Sequence, residues 1–294
     1  MTRPTPGRHA RPRTPLARRA VTSPAGVAAL GAVTAAGLLT AGTAQAAVPS
    51  FGTGPGAGAP FQPVQLPGAI ILPSGPITGL PPQFSTTSQV IAVRTTGTDA
   101  TVTAWQRNSS GTWTSVFSTT AARIGANGIA GGTVRQQGTD TTPTGVYSIT
   151  QGFGVGANPG TKMPYHQVTS ADWWVEDPSS PSYNRMRTAA QGGFPLTEAG
   201  DHGSEHLINY PTQYHNALVV NFNTSPPVPG RGAGIFLHDL GPQAGPTAGC
   251  VALPAAVMTQ VMQWIDPAQH PVISIQAADP ATGSATVRSL RPRA

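Results

Sequence analysis

The feature that most limits what this chain can fold into is a change of composition near Phe84. Residues 47–85 are dominated by Gly, Pro and Ala, and they show no period that could bury one face. After them, short segments rich in Val, Thr, Ile and Trp alternate with turn residues. We therefore expect a linker or an unstructured propeptide over 47–85, a single folded domain over 86–277 and a flexible tail over 278–294.

The first 46 residues predict an export signal. They contain six arginines and no acidic residue, then an apolar run, and then Ala44-Gln45-Ala46, which fits a signal peptidase site. The apolar run is rich in Gly and Ala and is too short for a membrane span, which needs about 20 strongly apolar residues. We expect cleavage near Ala46, no membrane span afterwards and a secreted, extracytoplasmic protein. The pair Arg18-Arg19 leaves both the general secretory and the twin-arginine routes open.

Removal of the leader changes the charge balance. Six of the 17 Lys and Arg residues lie in the leader, which leaves 11 basic against 11 acidic residues in the mature chain. The mature protein is therefore neutral, and its high calculated isoelectric point does not indicate a nucleic-acid partner. The basic tail that ends at Arg293 is either a solvated end or a contact for anionic wall polymers.

The folded part is predicted to be mainly β with one or two short helices. The segments with strand composition and alternation are 89–94, 101–107, 112–117, 146–150, 217–222, 234–238 and 272–276. Only residues 255–264 have a clear helical period. Pro254 suits the start of that helix, and Asp266-Pro267 ends it.

Cys250 is the only cysteine of the chain. Without a second cysteine it is a small buried hydrophobe, an intermolecular bridge or a reactive thiol. Because the predicted helix follows closely, we expect the thiol to lie at a helix entry, where the macrodipole favours the thiolate. Gly249 would let its backbone form part of an oxyanion hole. His238, which ends an apolar segment twelve residues earlier, is the candidate base, with a backbone carbonyl as its orienting partner.

The sequence around these two residues resembles the YkuD-type L,D-transpeptidases, a family of bacterial cell-wall enzymes. Three segments carry the closest resemblance: Ile235-Phe236-Leu237-His238, Pro246-Thr247-Ala248-Gly249-Cys250 and Pro271-Val272-Ile273-Ser274-Ile275. Upstream segments similar to one branch of the family are 125–128, 142–147, 172–177, 183–185 and 204–207. The resemblance covers about residues 89–276, which is essentially the whole folded part.

The resemblance implies a β-sandwich of two mixed sheets that cradle a helix. It also implies a reaction on peptidoglycan stem peptides, in which Cys250 forms a thioester and releases D-alanine, with His238 as base and acid. An acceptor amine would then resolve the thioester into a cross-link between the third residues of two stems. Water in its place would give a carboxypeptidase or endopeptidase, and a noncatalytic wall-binding domain on the same fold is a further alternative. Carbapenem-type β-lactams are the expected inhibitors, no cofactor is needed, and the oligomeric state stays open.

The chain departs from the family pattern at two positions beside the cysteine. Many members have His before the Gly-Cys pair and Arg two residues after the Cys, where this chain has Ala248 and Ala252. A contact made by that arginine would have to come from elsewhere, with Arg185, Arg231 or His206 as candidates.

Further residues of the sequence are candidates for binding substrate, glycan or metal. The candidates for substrate binding are Thr247, His206, Glu205 and Arg185, and Thr247 has the alternative of bonding within its own turn. Adjacent tryptophans in a strand point to opposite faces, so at most one of Trp173 and Trp174 would stack on a sugar. We expect no metal site, because the spacing of the histidines and acids matches no zinc motif.

Overall fold

The computed structural model describes residues 80–278. The predicted signal peptide, most of the predicted linker and nearly all of the predicted tail lie outside the described residues. Residues 80–85 belonged to the predicted linker, but Pro82–Phe84 form a turn of 3-10 helix. Leu80 and Phe84 pack against a buried cluster that contains Val90 and Trp105. The chain is therefore already in contact with the domain before the first strand begins.

The described residues contain thirteen strands and one α-helix. The strands are β1 (Gln89–Thr96), β2 (Asp99–Arg107), β3 (Trp113–Arg123), β4 (Ile129–Gly131), β5 (Thr142–Gly154), β6 (Tyr165–Gln167), β7 (Asp172–Trp174), β8 (Met186–Thr188), β9 (Glu205–His206), β10 (Ala217–Val220), β11 (Phe236–Asp239), β12 (Val251–Leu253) and β13 (Val272–Ala277). The helix α1 is Ala255–Trp264, and further short 3-10 turns are Ala189–Gln191, Leu207–Asn209 and Pro267–Gln269.

The large sheet closes on itself. Its strand order is β10-β11-β12-β3-β2-β1-β13-β5, and β5 also pairs with β10, which completes a ring. Strands β4 and β6 are attached to β5 outside this ring. The predicted meander β1-β2-β3 is antiparallel, whereas β1 pairs in parallel with the distant β13 through contacts such as Val90 with Val272.

The helix packs on one face of this ring. Met258, Val261 and Met262 of α1 are fully buried, and they belong to one cluster with apolar residues from all eight strands of the ring. The helix positions follow an apolar stripe, so burial of that stripe explains why this ten-residue segment is helical.

A second, three-stranded sheet of order β8-β7-β9 packs on the opposite face of the ring strands β10 and β11. The cluster between them contains Trp174 and Leu207 from the region of the small sheet, with Phe153, Val219 and Phe236 from the ring. Phe236 is fully buried and contacts the Trp174 ring edge-on at a centroid distance of 4.9 Å.

The prediction of a mainly β domain with a helix at 255–264 is confirmed. The prediction of two facing mixed sheets is not confirmed, because the strands form one closed sheet and a small additional one. Strand composition shows which segments are extended, but long-range partners such as β1 with β13 and β5 with β10 decide whether the sheet closes. Among residues 80–278, no helix has the length and apolar character to cross a membrane.

Candidate active site

Two parallel strands bring Cys250 and His238 to the same side of the ring. In the register of β11 and β12, Leu237 lies opposite Val251, and both side chains belong to the cluster around α1. Side chains alternate along a strand, so Phe236 and His238 face the other side. Cys250 precedes Val251 and belongs with Phe236 to the cluster under the small sheet. The predicted nucleophile and base therefore share the face that is covered by the small sheet.

The turn before Cys250 is held by hydrogen bonds of Thr247. Its Oγ1 donates to the Cys250 carbonyl at 2.7 Å and accepts from the Gly249 N–H at 3.1 Å. The Thr247 backbone is tied to Ile124 and Ala126, just beyond β3. Thr247 thus bonds within its own turn, which was the alternative to substrate binding. In this arrangement the Gly249 N–H already has an acceptor, and its role in an oxyanion hole stays a prediction.

Gly249 is required by the geometry of this turn. Its φ of +138° lies in the region that side chains other than glycine rarely adopt. A Cβ at this position would also lie 2.7 Å from Nη2 of Arg135 and 2.9 Å from the Thr141 carbonyl oxygen. The absence of a side chain therefore allows the guanidinium of Arg135 to approach the residue next to the thiol.

The Cys250 thiol is neutral in the free protein. Its Sγ donates to the Gly234 carbonyl at 3.2 Å and accepts from the Phe236 N–H at 3.3 Å. Burial, followed by the nearby Glu205 carboxylate, raises the thiol pKa far above its usual range. The Phe236 N–H, acting in the opposite direction, lowers this pKa.

The expectation of a thiolate at a helix entry is wrong. Strand β12 and Pro254 separate Cys250 from the helix, which begins at Ala255. The dipole of a helix acts mainly on its first turn, so it does not act on this sulfur. The sequence predicted the helix correctly, but the three residues between Cys250 and Pro254 form a strand through pairing with β11 and β3.

His238 is oriented by a backbone carbonyl, as predicted. Its Nδ1 lies 2.7 Å from the carbonyl oxygen of Asp239, so Nδ1 carries the proton and donates, and Nε2 has the free lone pair. Burial lowers the pKa of His238 to about 4, although the bond to Asp239 favours the protonated form. The imidazole is therefore neutral at physiological pH and able to accept a proton.

The Asp239 carboxyl group does not orient the imidazole. Its Oδ2 accepts the Asn216 N–H at 2.9 Å, and burial raises the pKa of the carboxyl group to about 6. The backbone carbonyl of Asp239, and not its side chain, is therefore the partner of His238.

Glu205 lies on the side of the thiol that the small sheet covers. The Tyr214 hydroxyl donates to its Oε2 at 2.8 Å, and the Tyr214 ring contacts the His238 ring edge-on at 5.5 Å. Burial raises the pKa of Glu205 to about 7. Burial also raises the pKa of Glu176, and the nearby charge of Glu205 raises it further. Of the residues predicted to bind substrate, Glu205 is thus placed with Cys250 and His238.

The other two predicted substrate-binding residues are directed elsewhere. The ring of His206 stacks on Trp173 at 4.3 Å, and its Nε2 bonds the Ser170 carbonyl oxygen at 2.8 Å. His206 therefore covers one face of Trp173, whose side chain is 8% exposed. Trp174 is buried and donates to Asn184 Oδ1. The Arg185 side chain is exposed to solvent.

Sequence reasoning missed three residues around the thiol: Arg135, Tyr214 and Glu176. Arg135 follows β4 in a turn, and Tyr214 follows a 3-10 turn, so neither stands in a periodic segment that would indicate a buried position. Glu176 lies just after β7, within a segment that was identified as similar to the family. A charged or hydroxylated residue in a loop gives no signal of its burial before the loop is placed.

The described residues contain no group of three or more His, Cys, Asp and Glu side chains arranged to hold a metal ion.

Comparison with known proteins gives one match. A family model described as the L,D-transpeptidase catalytic domain, YkuD, matches residues 89–273, a range that contains every residue of this site. No curated protein and no solved structure gives a significant match.

Proposed function

The chain belongs to the family of L,D-transpeptidase catalytic domains, YkuD, and on that premise we propose that it is a peptidoglycan L,D-transpeptidase with Cys250 as nucleophile and His238 as base. The observation that carries the proposal is the placement of a buried thiol and a neutral, carbonyl-oriented imidazole on one face of two neighbouring strands.

The resting thiol requires activation when the donor binds. His238 Nε2 accepts the thiol proton as the sulfur attacks the carbonyl carbon between the diamino acid at the third position of the stem and the terminal D-alanine. The C–S bond forms, the carbonyl π electrons move to oxygen, and the imidazolium forms while Nδ1 stays bonded to the Asp239 carbonyl. Because its pKa is lowered to about 4, this imidazolium is a stronger acid than an ordinary histidine and readily returns the proton.

Collapse of the tetrahedral intermediate completes acylation. The C–N bond breaks, the nitrogen of D-alanine takes the proton from His238, and a Cys250 thioester remains. An amine of a second stem then attacks the thioester, with its proton passing to His238 and from there to the departing sulfur. No step consumes an oxidant, a metal or an organic cofactor.

The first test of this function uses intact mass. Incubation of the purified protein with a carbapenem should add the mass of one drug molecule, because the thiol opens the β-lactam ring to form a thioester without a leaving group. The Cys250→Ala protein should remain unmodified and should melt at about the same temperature. An adduct on the Cys250→Ala protein would contradict the assignment of the nucleophile.

A stem tetrapeptide then distinguishes transfer from hydrolysis. Both reactions release D-alanine, but transfer produces a dimer when an acceptor stem is present, whereas hydrolysis produces the free tripeptide and no dimer. A folded protein that binds sacculi but forms neither a drug adduct nor a product would contradict the enzyme proposal and favour a wall-binding module.

We further propose that the protein acts outside the cytoplasm, associated with the cell wall. The proposal is supported by the arginine-rich start, the apolar run and the Ala44-Gln45-Ala46 site in the sequence. The mass of the protein recovered from the medium or wall fraction should correspond to a chain that begins at Ala47. Recovery of the full-length chain in the cytoplasm alone would contradict it.

A further inference from the structure

Arg135 is a buried arginine held beneath the turn that carries Cys250. Its side chain is 5% exposed. Nε donates to the Thr141 carbonyl at 2.6 Å, and Nη1 donates to the Arg231 carbonyl at 3.3 Å. The guanidinium also lies over the Phe222 ring at 5.7 Å. Two hydrogen bonds and a ring contact fix the plane of the guanidinium, so its third nitrogen has a defined direction.

That third nitrogen, Nη2, lies beside Gly249. A Cβ built on Gly249 would be 2.7 Å from it. Within the part of the chain that the structure describes, Nη2 has no hydrogen-bond acceptor. Among residues 80–278, the fully buried side-chain polar atoms without a hydrogen-bond partner are Asn216 Oδ1, Asp239 Oδ1 and Ser274 Oγ. Nη2 of Arg135 is not one of them, so it is not fully buried. Nη2 is therefore an unpaired donor that is not fully enclosed by the protein, and it lies at the residue next to the nucleophile.

The positive charge of Arg135 is not balanced by an ion pair. None of the four ion pairs among residues 80–278 includes it. Burial lowers the pKa of the guanidinium, and interactions with Cys250, Tyr183, Glu176 and Asp140 only partly offset this effect. An arginine nevertheless stays protonated at physiological pH. A buried cation without an ion-pair partner is costly for folding, which points to a use in binding or chemistry.

We propose that Arg135 donates through Nη2 to a negatively charged substrate oxygen at Cys250, in place of the arginine that many family members have at the position of Ala252. The inference rests on the proposed function for the identity of that oxygen. Two sources share the chemistry: the oxyanion formed when the scissile carbonyl is attacked, and the C-terminal carboxylate of the D-alanine that leaves. Ala252 itself is 1% exposed in β12 and carries no donor side chain.

The substitutions that test this are Arg135→Met and Arg135→Lys. Methionine removes the charge while filling part of the volume, whereas lysine keeps a charge but cannot bond both carbonyls and the substrate at once. Arg107→Met is the matched control, since it removes the same charge from an arginine that lies over Trp113 at the end of β2. Melting temperatures identify any variant that has failed to fold.

With the tetrapeptide donor, Arg135→Met should lower the acylation rate by about 10²-fold or more, on the scale known for loss of one oxyanion donor. A fall in kcat at constant KM assigns the oxyanion. A rise in KM that disappears when the donor ends in D-alaninamide assigns the carboxylate. Either result supports the proposal, and rates within about threefold of the parent for both Arg135 variants would overturn it.

A second measurement does not depend on the transpeptidase function. Cys250 is the only cysteine, so iodoacetate and iodoacetamide both report on this thiol alone, each by displacement of iodide by sulfur. The ratio of the iodoacetate rate to the iodoacetamide rate cancels the reactivity of the thiol itself and reports on anion binding beside it. In Arg135→Met the ratio should fall about tenfold, on the scale of one hydrogen bond to a charged group.

In Arg135→Lys the ratio should lie between those of the parent and Arg135→Met. In Arg107→Met it should equal that of the parent. If the parent is inactive on stem peptides but the ratio falls as stated, the proposed function fails and the anion site stands. An unchanged ratio in folded Arg135→Met would overturn the anion site whatever the activity.

Discussion

The two faces of strands β10, β11 and β12 differ in chemistry although their residues alternate along the same short segments. The face toward α1 presents Leu218, Leu237 and Val251, all fully buried among apolar neighbours. The face toward the small sheet presents His238 and Cys250, with Glu205, Tyr214 and Arg135 around them.

This difference separates stability from chemistry. The apolar face contributes burial, worth about 1.5–3 kcal/mol for each Leu or Val side chain. The other face keeps ionisable groups from water, so their pKa values move and each group takes a defined protonation state. Substitutions on the apolar face should mainly change unfolding, whereas substitutions of the ionisable groups on the other face should mainly change rate.

The largest effect is expected for His238→Gln, apart from loss of the nucleophile itself. Loss of the proton acceptor should slow carbapenem acylation by at least about 10²-fold with little change in melting temperature. Stopped-flow fluorescence or timed intact mass gives the rate. A loss below about tenfold would mean that the thiol is activated without this imidazole.

The pH dependence of the parent protein sharpens the same assignment. Because the pKa of His238 is lowered to about 4, the imidazole remains a base well below its usual range. The acylation rate should therefore not fall as the pH drops through about 6.5, the ordinary histidine pKa. A fall in rate near pH 6.5 that is present in the parent and absent in His238→Gln would contradict a buried, neutral imidazole.

Leu218→Ala tests the opposite face. Leu218 is fully buried and lies across from Leu237 in the register of β10 and β11. Its truncation should lower the free energy of unfolding by about 2–5 kcal/mol. At a temperature where the variant is folded, the acylation rate should stay within about threefold of the parent. A large loss of rate without loss of stability would break the division between the two faces.

Glu205→Gln should change how stability depends on pH. Burial raises the pKa of the folded carboxyl group to about 7, above its value in the unfolded chain, so the folded state binds the proton more tightly. The stabilisation is present at low pH and is lost as the pH rises toward 7. As the pH rises from about 4.5 to 7, the free energy of unfolding of the parent should therefore decrease more than that of Glu205→Gln. Parallel chemical denaturation at several pH values measures the difference, which isolates Glu205 from His238 and Asp239.

The same substitution should increase the reactivity of the thiol above about pH 7. Removal of the Glu205 charge takes away one of the groups that raise the Cys250 pKa, so alkylation by iodoacetamide should become faster. Glu198→Gln is the control, because Glu198 accepts from the His206 N–H and the Asn209 side chain and is not among the charges that raise the Cys250 pKa. Equal rates in the parent and in Glu205→Gln would show that this carboxylate does not act on Cys250.

The smallest effect is expected for Thr247→Val, which keeps the shape of the side chain but removes the hydroxyl. Two hydrogen bonds of the cysteine turn are lost, so stability should fall by about 1–2 kcal/mol and acylation should slow a few-fold. Thr259→Val is a matched control on the exposed side of α1, where the hydroxyl bonds only the Ala255 carbonyl. Equal losses in both variants would mean that the turn adds nothing beyond local stability.

Much of the fold was predictable because its signals are local. The helix at 255–264 was predicted at its observed bounds, because its apolar stripe and the flanking Pro254 and Asp266-Pro267 all lie within a few turns of the same segment. The strands β1, β2 and β13 were predicted within a few residues. The three-residue strand β12 and the small sheet were missed, because such short segments are extended only through their partners.

The sequence by itself determined which residues are available for chemistry: one cysteine, a histidine that ends an apolar segment, and a glycine directly before the cysteine. It also indicated the family through motifs spread over the folded part. These are properties of residue type and spacing, and they do not require the chain to be folded.

Only the tertiary structure decided the electrostatics of the thiol. Whether Cys250 is a thiol or a thiolate depends on burial and on Glu205 and Arg135, which lie 45 and 115 residues away in the chain. It also decided that His206 stacks on Trp173 while its neighbour Glu205 approaches the sulfur. The physical reason is that desolvation and Coulomb interactions depend on distance in space, which residue spacing along the chain does not contain.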